Sequence, residues 1–460
     1  RERVRSAILN SGLAFPSNQR ITVNLAPADL PKESGRFDLP IAVGILAASG
    51  ALPPEALAGY EFAGELSLSG ELRPVRGALA MAQALHQEGS TAALVLPAGS
   101  AQEAALVPGT RVYSVKQLQE VLQALAPATQ ADAAWQPLQV QTQLPQESLI
   151  ATGDLQDIKG HAGVKRALEV AAAGGHSLLL VGPPGVGKSM LAQRLAGLLP
   201  PLRLEQALQT AAIHSIYGPV GLAQWGKRAY RNPHHSASLA ALVGGGVPPR
   251  PGEISLSHHG VLFLDELPEF SRAALEALRE PLETGIINLA RAKHHVEYPA
   301  AFQLVAAMNP CPCGYLGMQK PSCRCSPLQV ARYQGRISGP LWDRIDMQVS
   351  VNALSAEVLL HAPLGERTSV VKARCTAAHE RAWRRQGCRN KDLAQAQLQA
   401  LLISSEASRL LAHAAEQRAW SARATHRVLR LAQTIADLAQ AQEIGQMHMA
   451  EALQYRSFLA

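Results

Sequence analysis

Short apolar runs broken by Gly- and Pro-containing turns fill the first quarter of the chain. RITVNLAP, YEFAGELSLSG and TAALVLP predict strands, while DLPIAVGILAASG and GALAMAQALHQEG predict helices that end in glycine. Together they predict a compact α/β domain over residues 1–126. Residues 127–154 are rich in Gln, Ala, Pro and Thr with little periodicity and predict a linker. From residue 155 the pattern becomes helix, buried strand (SLLLVG), Gly-rich loop, helix, so a phosphate-binding core is expected over 155–351. Residues 352–460 predict a helical region, with Leu/Ala/Arg periodicity through SRLLAHAAEQRAW and ATHRVLRLAQTIADLAQ. No apolar run approaches the ~20 residues that span a bilayer, so no membrane partner is expected. The opening RERVRSAILNSG is amphipathic and charged, unlike a signal peptide. It lacks an initiator Met, and native N-terminal residues are expected to be missing before it.

Composition adds two constraints. The 460 residues carry 43 Lys and Arg against 36 Asp and Glu, a formal net charge of +7. That balance fits a polyanionic partner such as nucleic acid, and it equally fits plain solubility. Six cysteines in a chain with a nucleotide motif suit a reducing cytoplasm.

Three apolar runs end in residues with phosphate chemistry. LLLVGPPGVGKSML contains G-x-x-x-x-G-K-[ST] in full, after a strand and before a helix. Gly182, Pro183, Pro184, Gly185, Val186, Gly187, Lys188, Ser189 and Met190 are the candidate ATP-binding residues. Lys188 would reach the β and γ phosphates, and Ser189 would ligate Mg²⁺. In GVLFLDELPEF the strand Val261–Leu264 delivers Asp265, a second Mg²⁺ candidate, and Glu266, placed to polarise an attacking water. FQLVAAMNP delivers Asn309 at the end of a further strand, where an amide could sense the γ-phosphate. Downstream, Arg344 precedes another apolar run, and Arg423, Arg427 and Arg430 recur at helical spacing.

Cys311, Cys313, Cys323 and Cys325 form C-x-C-x₉-C-x-C just after Asn309. Four thiolates would satisfy a tetrahedral Zn²⁺ of structural type, and reduced cysteines in a surface loop are the alternative. IINLARAKHHVEYPAAFQLV predicts a hairpin with a basic tip. Arg291, Lys293, His294 and His295 at such a tip are candidate DNA contacts, suited to sequence-tolerant phosphate binding, and an exposed turn with ordinary charges is the alternative. GGGVPPRPG predicts a protruding loop or hairpin within residues 236–259. The His-His pairs at 234–235, 258–259 and 294–295 are read as hydrogen-bonded residues, not metal ligands.

Taken in order, GPPGVGKS, FLDEL, AMNP, LWDRID and SARATHR resemble the AAA+ ATPases of the branch that includes magnesium chelatase motors and MCM helicases. NPHHSASLAALVGGGVPPRPGEISLSHHG and NPCPCGYLG with CRCSPLQVARYQGRISGPLWDRID resemble the YifB/ComM family within it. The resemblance implies an AAA+ core with a parallel sheet and a C-terminal helical lid. It implies ATP and Mg²⁺ as cofactors, a hexameric ring, and single-stranded and branched DNA as partner. It also implies that Glu266 and Asn309 are catalytic, that Arg344 is an arginine finger acting in trans, and that Arg423 is the second sensor. Arg336 and Arg427 are alternatives for those last two roles. LPKESGRFDLPIAVGILAASG followed by FAGELSLSGELRPV resembles the α+β proteolytic domain of Lon, but Asp38 and Leu79 occupy the Ser and Lys positions. Neither supports that chemistry, so a pseudo-protease domain is expected. The function implied is ATP-driven branch migration of recombination intermediates in natural transformation. The alternative is a chelatase-type motor that remodels a protein partner for metal insertion.

Overall fold

The computed structural model describes residues 1–26, 35–125, 136–140, 144, 153–218, 221–246, 248–291, 294–318 and 321–456. It divides into two compact units, 1–145 with 203–226, and 146–202 with 227–460. The expected linker lies mostly outside the described residues, but Leu138 donates its N–H to Val112 O at 2.7 Å. The stretch 203–226, expected inside the ATPase core, belongs to the first unit. Its helix Leu204–Ser215 packs on the helix Ala78–Gln87, and Gly77 N donates to Ser215 O at 2.8 Å.

In the first unit, β1 (Tyr60–Phe62), β4 (Ala93–Pro97) and β5 (Val112–Val115) form a parallel sheet in the order β1-β4-β5. β2 (Glu65–Leu66) and β3 (Leu72–Arg73) pair as a hairpin. The helices Asp38–Ala48 and Ala78–Gln87 form where the apolar patterning predicts them. RITVNLAP does not form a strand over its described residues 20–26. β-Branched residues fit a pleated surface only when a neighbouring strand takes up their backbone groups. Here Ile21 and Val23 are exposed, and none of the described hydrogen bonds pairs that backbone with a strand. Asp38 accepts from Leu66 N at 3.3 Å and pairs with Arg3 at 2.9 Å, while Leu79 is wholly buried.

The second unit is built on five parallel strands in the order β14-β6-β13-β10-β7. These are β6 (Leu178–Val181), β7 (Tyr230–Arg231), β10 (Val261–Leu264), β13 (Gln303–Met308) and β14 (Met347–Ser350). Parallel strands covered on both faces read as continuous apolar runs, which is why SLLLVG, VLFL and QLVAAM show no polar alternation. Alternate residues still part company. Leu178, Leu180, Val261, Phe263, Val305 and Ala307 enter one core, and Leu179, Val181, Leu262, Leu264, Leu304 and Ala306 enter the other. The first core also takes Val371, Cys375, Val428, Leu431 and Ile435 from the C-terminal helices, so those helices and the sheet form one body.

Two small hairpins interrupt this scheme. β8 (Gly244–Gly245) and β9 (Arg250–Pro251) pair within the GGGVPPRPG stretch. β11 (Ile286–Arg291) and β12 (His294–Pro299) pair in register from Ile286–Pro299 to Arg291–His294. Tyr298 Oη donates to Pro249 O at 2.9 Å and ties one hairpin to the other. Among the described residues, no helix is long and apolar enough to cross a membrane.

Candidate active site

β6 ends at Val181 and the next helix begins at Lys188, so Gly182–Gly187 is the loop between them. Gly182 is required by close approach, since a Cβ there would sit 2.2 Å from Val351 O. Lys188 turns its ammonium back into this loop. Nζ donates to Gly182 O at 2.7 Å, Pro183 O at 2.8 Å and Asn309 Oδ1 at 3.0 Å, which occupies all three of its donors. Burial lowers the Lys188 pKa from its ordinary value, and the charges of Asp265 and Glu266 work the other way. Ser189 Oγ donates to Asp265 Oδ2 at 2.6 Å, so the two candidate Mg²⁺ ligands lie against each other.

Glu266 N donates to Asp265 Oδ1 at 2.9 Å. Glu266 itself sits in the left-handed region, at φ 51°, an uncommon and strained conformation for a non-glycine residue. It aims the carboxylate off the strand end toward His235, whose Nδ1 lies 3.2 Å from Glu266 Oε2. Sequence reading classed His235 with the other His pairs and missed this contact. The signal for it is three-dimensional, because His235 follows β7 and Glu266 follows the adjacent β10.

The loop stands between two cavities. One, of about 370 Å³, is lined by Lys188, Ser189, Asp265, Glu266 and Asn309. The other, of about 380 Å³, is lined on its apolar side by Ile158, Val186, Met190, Leu191 and Leu354. The first suits a polyphosphate with its cation, the second a flat heterocycle. Ile158 and Leu354 belong to no motif, and nothing local in the chain points to their role.

Arg344 and Arg423 are elsewhere. β14 runs parallel to β6 with Met347 beside Leu178 and Ser350 beside Val181. The phosphate loop follows Val181, whereas Arg344 precedes Met347, so a strand length of about 13 Å separates the two ends. At the arginine end lies a cavity of about 820 Å³. Arg344, Arg389, Lys391, Arg423, Arg427 and Arg430 line it, against Glu283, Asp346 and Asp392. Arg427 lies 3.7 Å from Asp346 and Arg430 donates to Leu393 O at 2.6 Å, so both are held within the fold. Burial opposes ionisation of Asp346, but the His176 hydrogen bond and the charges of His176 and Arg427 keep its carboxyl below the usual range. The Arg423 side chain is half exposed. Arg336 is at the opposite end, bonded to Glu269 at 2.7 Å on the turn after Glu266.

The four clustered cysteines come together behind Asn309, with all four sulfurs within 4.8 Å of one another. Cys311 Sγ is 3.4 Å from Cys313 Sγ and 3.6 Å from Cys323 Sγ, and Cys313 and Cys323 are 3.5 Å apart. A tetrahedron with zinc–sulfur bonds of about 2.3 Å has edges of about 3.8 Å, so the donor set fits zinc. Gly314 in this turn lies against the phosphate loop, where a Cβ would meet Pro184 Cδ at 2.6 Å.

Lys293 lies outside the described residues. Arg291, His294 and His295 are in the facing ends of β11 and β12, and their side chains are likewise outside the description. The other His pairs are hydrogen-bonded. His234 Nδ1 pairs with Ser236 Oγ at 2.8 Å, and buried His258 Nδ1 accepts from Ala301 N at 2.9 Å.

Comparison with known proteins matches three stretches of the chain to models of magnesium chelatase subunit ChlI. Residues 154–359 match magnesium chelatase, subunit ChlI; residues 1–100 match subunit ChlI of Mg-chelatase; residues 365–456 match the ChlI C-terminal region. The uncharacterized protein YifB of Salmonella typhimurium is 46% identical over 99% of this chain and 88% of its own length. Competence protein ComM of Haemophilus influenzae is 44% identical over 100% of this chain and 89% of its own. An uncharacterized protein of Mycobacterium tuberculosis is 42% identical over 99% and 90%. With its parallel α/β core, phosphate loop and helical C-terminal region, the chain belongs to the Mg-chelatase-like YifB/ComM family of AAA+ ATPases.

Proposed function

We propose that the protein is an ATP-dependent, ring-forming DNA motor of the cytoplasm that promotes branch migration of recombination intermediates during natural transformation. The observation that carries the ATPase part is the convergence of Lys188, Ser189, Asp265, Glu266 and Asn309 around one polar cavity. Lys188 exchanges its loop carbonyls for the β and γ phosphate oxygens. Ser189 and Asp265 would hold Mg²⁺, which neutralises phosphate charge when bound. Glu266 accepts the proton of the attacking water, and Asn309, released from Lys188, orients that water or the γ-phosphate. Ile158, Met190 and Leu354 receive the base.

The positions of the arginines support a ring, most simply a hexamer. Arg344 stands a strand length away from its own phosphate loop, so it serves a nucleotide held by a neighbouring copy. Arg423, beside it, is read as the second sensor acting across the same junction. Hairpin β11–β12 is read as the DNA-contacting element, with Arg291, Lys293, His294 and His295 toward its tip. The net charge of +7 and the similarity to a competence protein favour DNA over a protein substrate. Cys311, Cys313, Cys323 and Cys325 hold a structural zinc ion that pins the loop behind Asn309. The first unit is a Lon-like fold without protease chemistry, since Asp38 and Leu79 are engaged in packing and pairing.

ATPase rate is the test, measured with and without single-stranded, duplex and four-way-junction DNA at two salt concentrations. Stimulation that fades with salt is expected, followed by junction migration in the same buffer. Indifference to every DNA would return weight to a chelatase-type motor acting on a protein partner.

A further inference from the structure

On the reading above Arg344 must reach a neighbour's phosphate, yet in the single chain it is only 9% exposed. Its guanidinium is clasped on every side. Nε donates to Arg279 O at 3.0 Å, Nη1 to Pro340 O at 2.7 Å, and Nη2 meets Glu283 Oε2 at 2.6 Å. The other oxygen of the same carboxylate, Oε1, is 2.7 Å from Arg423 Nη2. Glu283 therefore bridges two guanidiniums brought in by the turn before β14 and by the helix Ala422–Leu438. Burial opposes its ionisation, and the hydrogen bond from Arg344 with the charges of Arg344 and Arg423 more than offsets this.

Glu283 also sits at the root of hairpin β11–β12. It is the second-last residue of the helix Arg279–Thr284, and β11 starts at Ile286. The joint is tightly bonded. Gly285 N donates to Pro281 O at 3.0 Å, Ala300 N to Gly285 O at 2.6 Å, and Asn288 Nδ2 to Glu280 Oε1 at 2.8 Å. A tilt of the hairpin therefore carries the helix end and its carboxylate with it.

We infer that Glu283 is a latch on the two arginines. It is a positioning residue that holds Arg344 and Arg423 back until the hairpin moves, and the anion that replaces it is the triphosphate of a neighbouring copy. The inference rests on the reading of Arg344 as a residue that acts in trans. The exchange substitutes one charge-assisted oxygen anion for another around the same guanidiniums, so the two states differ little in energy and a modest bias at the hairpin selects between them.

Glu283→Gln keeps the shape and removes the charge. The full chain is assayed for ATPase rate without DNA and with single-stranded and four-way-junction DNA, alongside its thermal midpoint. The DNA-free rate is expected to rise roughly tenfold, the worth of one lost charge-assisted hydrogen bond, and DNA loses most of its stimulating effect. The midpoint stays near the wild-type value. Glu283→Asp, which keeps the charge on a shorter arm, returns the DNA-free rate toward wild type. An unchanged DNA-free rate in Glu283→Gln overturns the latch. So does an equal fall with and without DNA, which marks a structural role. Wild-type protein indifferent to all DNA counts against the DNA-motor reading, while the DNA-free rate of Glu283→Gln still decides the latch.

Discussion

The two ends of the five-stranded sheet are charged in opposite senses and yet behave alike. At the phosphate-loop end a lysine is folded onto carbonyls and Asn309, and Ser189 is closed on Asp265. At the arginine end Arg344 and Arg423 are closed on Glu283. At each end these charged groups are engaged by partners from within the chain. On the proposed reading each is half of a catalyst: the first would hold the nucleotide, and the second would supply arginines to the nucleotide of a neighbouring copy. If the two ends are halves of one site, they can meet only between copies. The comparison teaches that the single chain stabilises its two charged ends separately.

The sharpest way to break that picture is to disable one end at a time and mix. Arg344→Ala is expected to cost roughly 10³- to 10⁵-fold in ATPase rate, the range of an arginine finger. Lys188→Ala is expected to be inactive because phosphate no longer binds. Mixed together, the two inactive variants should regain activity at junctions that combine an intact loop with an intact arginine. Mixtures no more active than their parts would mean that Arg344 acts within its own chain or not at all.

Glu266→Gln tests the acidic half by itself. It retains the left-handed backbone and the neighbouring His235, but it cannot accept a proton. Hydrolysis should fall by roughly 10²- to 10⁴-fold while ATP binding persists, which traps assembled protein. Turnover at the wild-type rate would remove Glu266 from the role of base.

How much of this was readable beforehand follows the same division. The phosphate end was legible because each of its parts is a contiguous motif at the end of a buried apolar strand: GPPGVGKS, FLDEL and AMNP. The arginine end was legible only as isolated residues. Nothing local joins Glu283 to Arg344 and Arg423, which converge through a turn and a helix distant in sequence. The same limit hid His235 and Leu354. It also leaves open which unit receives Leu204–Ser215, because a helical pattern says that a face is buried but not against what. RITVNLAP failed differently, since strand propensity describes a surface that a partner must complete.

The cysteine turn sharpens the phosphate end. If its zinc holds Gly314 against Pro184 and thereby supports Asn309, Cys311→Ser should lose both metal and rate. Metal analysis of purified protein should fall from one zinc per chain to near none, and ATPase rate roughly tenfold, as for loss of a supporting contact. Wild-type protein that carries no zinc when purified without chelator would mean that the four cysteines do not hold a structural metal.

The smallest effect concerns a buried histidine at the arginine end. His258 precedes β10 at that end, is buried, and uses Nδ1 as an acceptor from Ala301 N. Burial pushes its pKa down to about 4, and the Arg389 charge adds to the shift. In the unfolded chain the same imidazole titrates near 6.5, so as pH falls below that value the unfolded state takes up a proton that the folded state refuses. The stability contributed by neutral His258 is whole above pH ~6.5 and declines until pH ~4, with about 2 kcal/mol lost at pH 5. His258→Gln keeps an acceptor for Ala301 N but has no proton to gain. Melting followed from pH 7.5 to 5 should therefore show a shallower fall in the variant than in wild type. Parallel curves would mean that neither burial nor the neighbouring cations hold His258 neutral at this end.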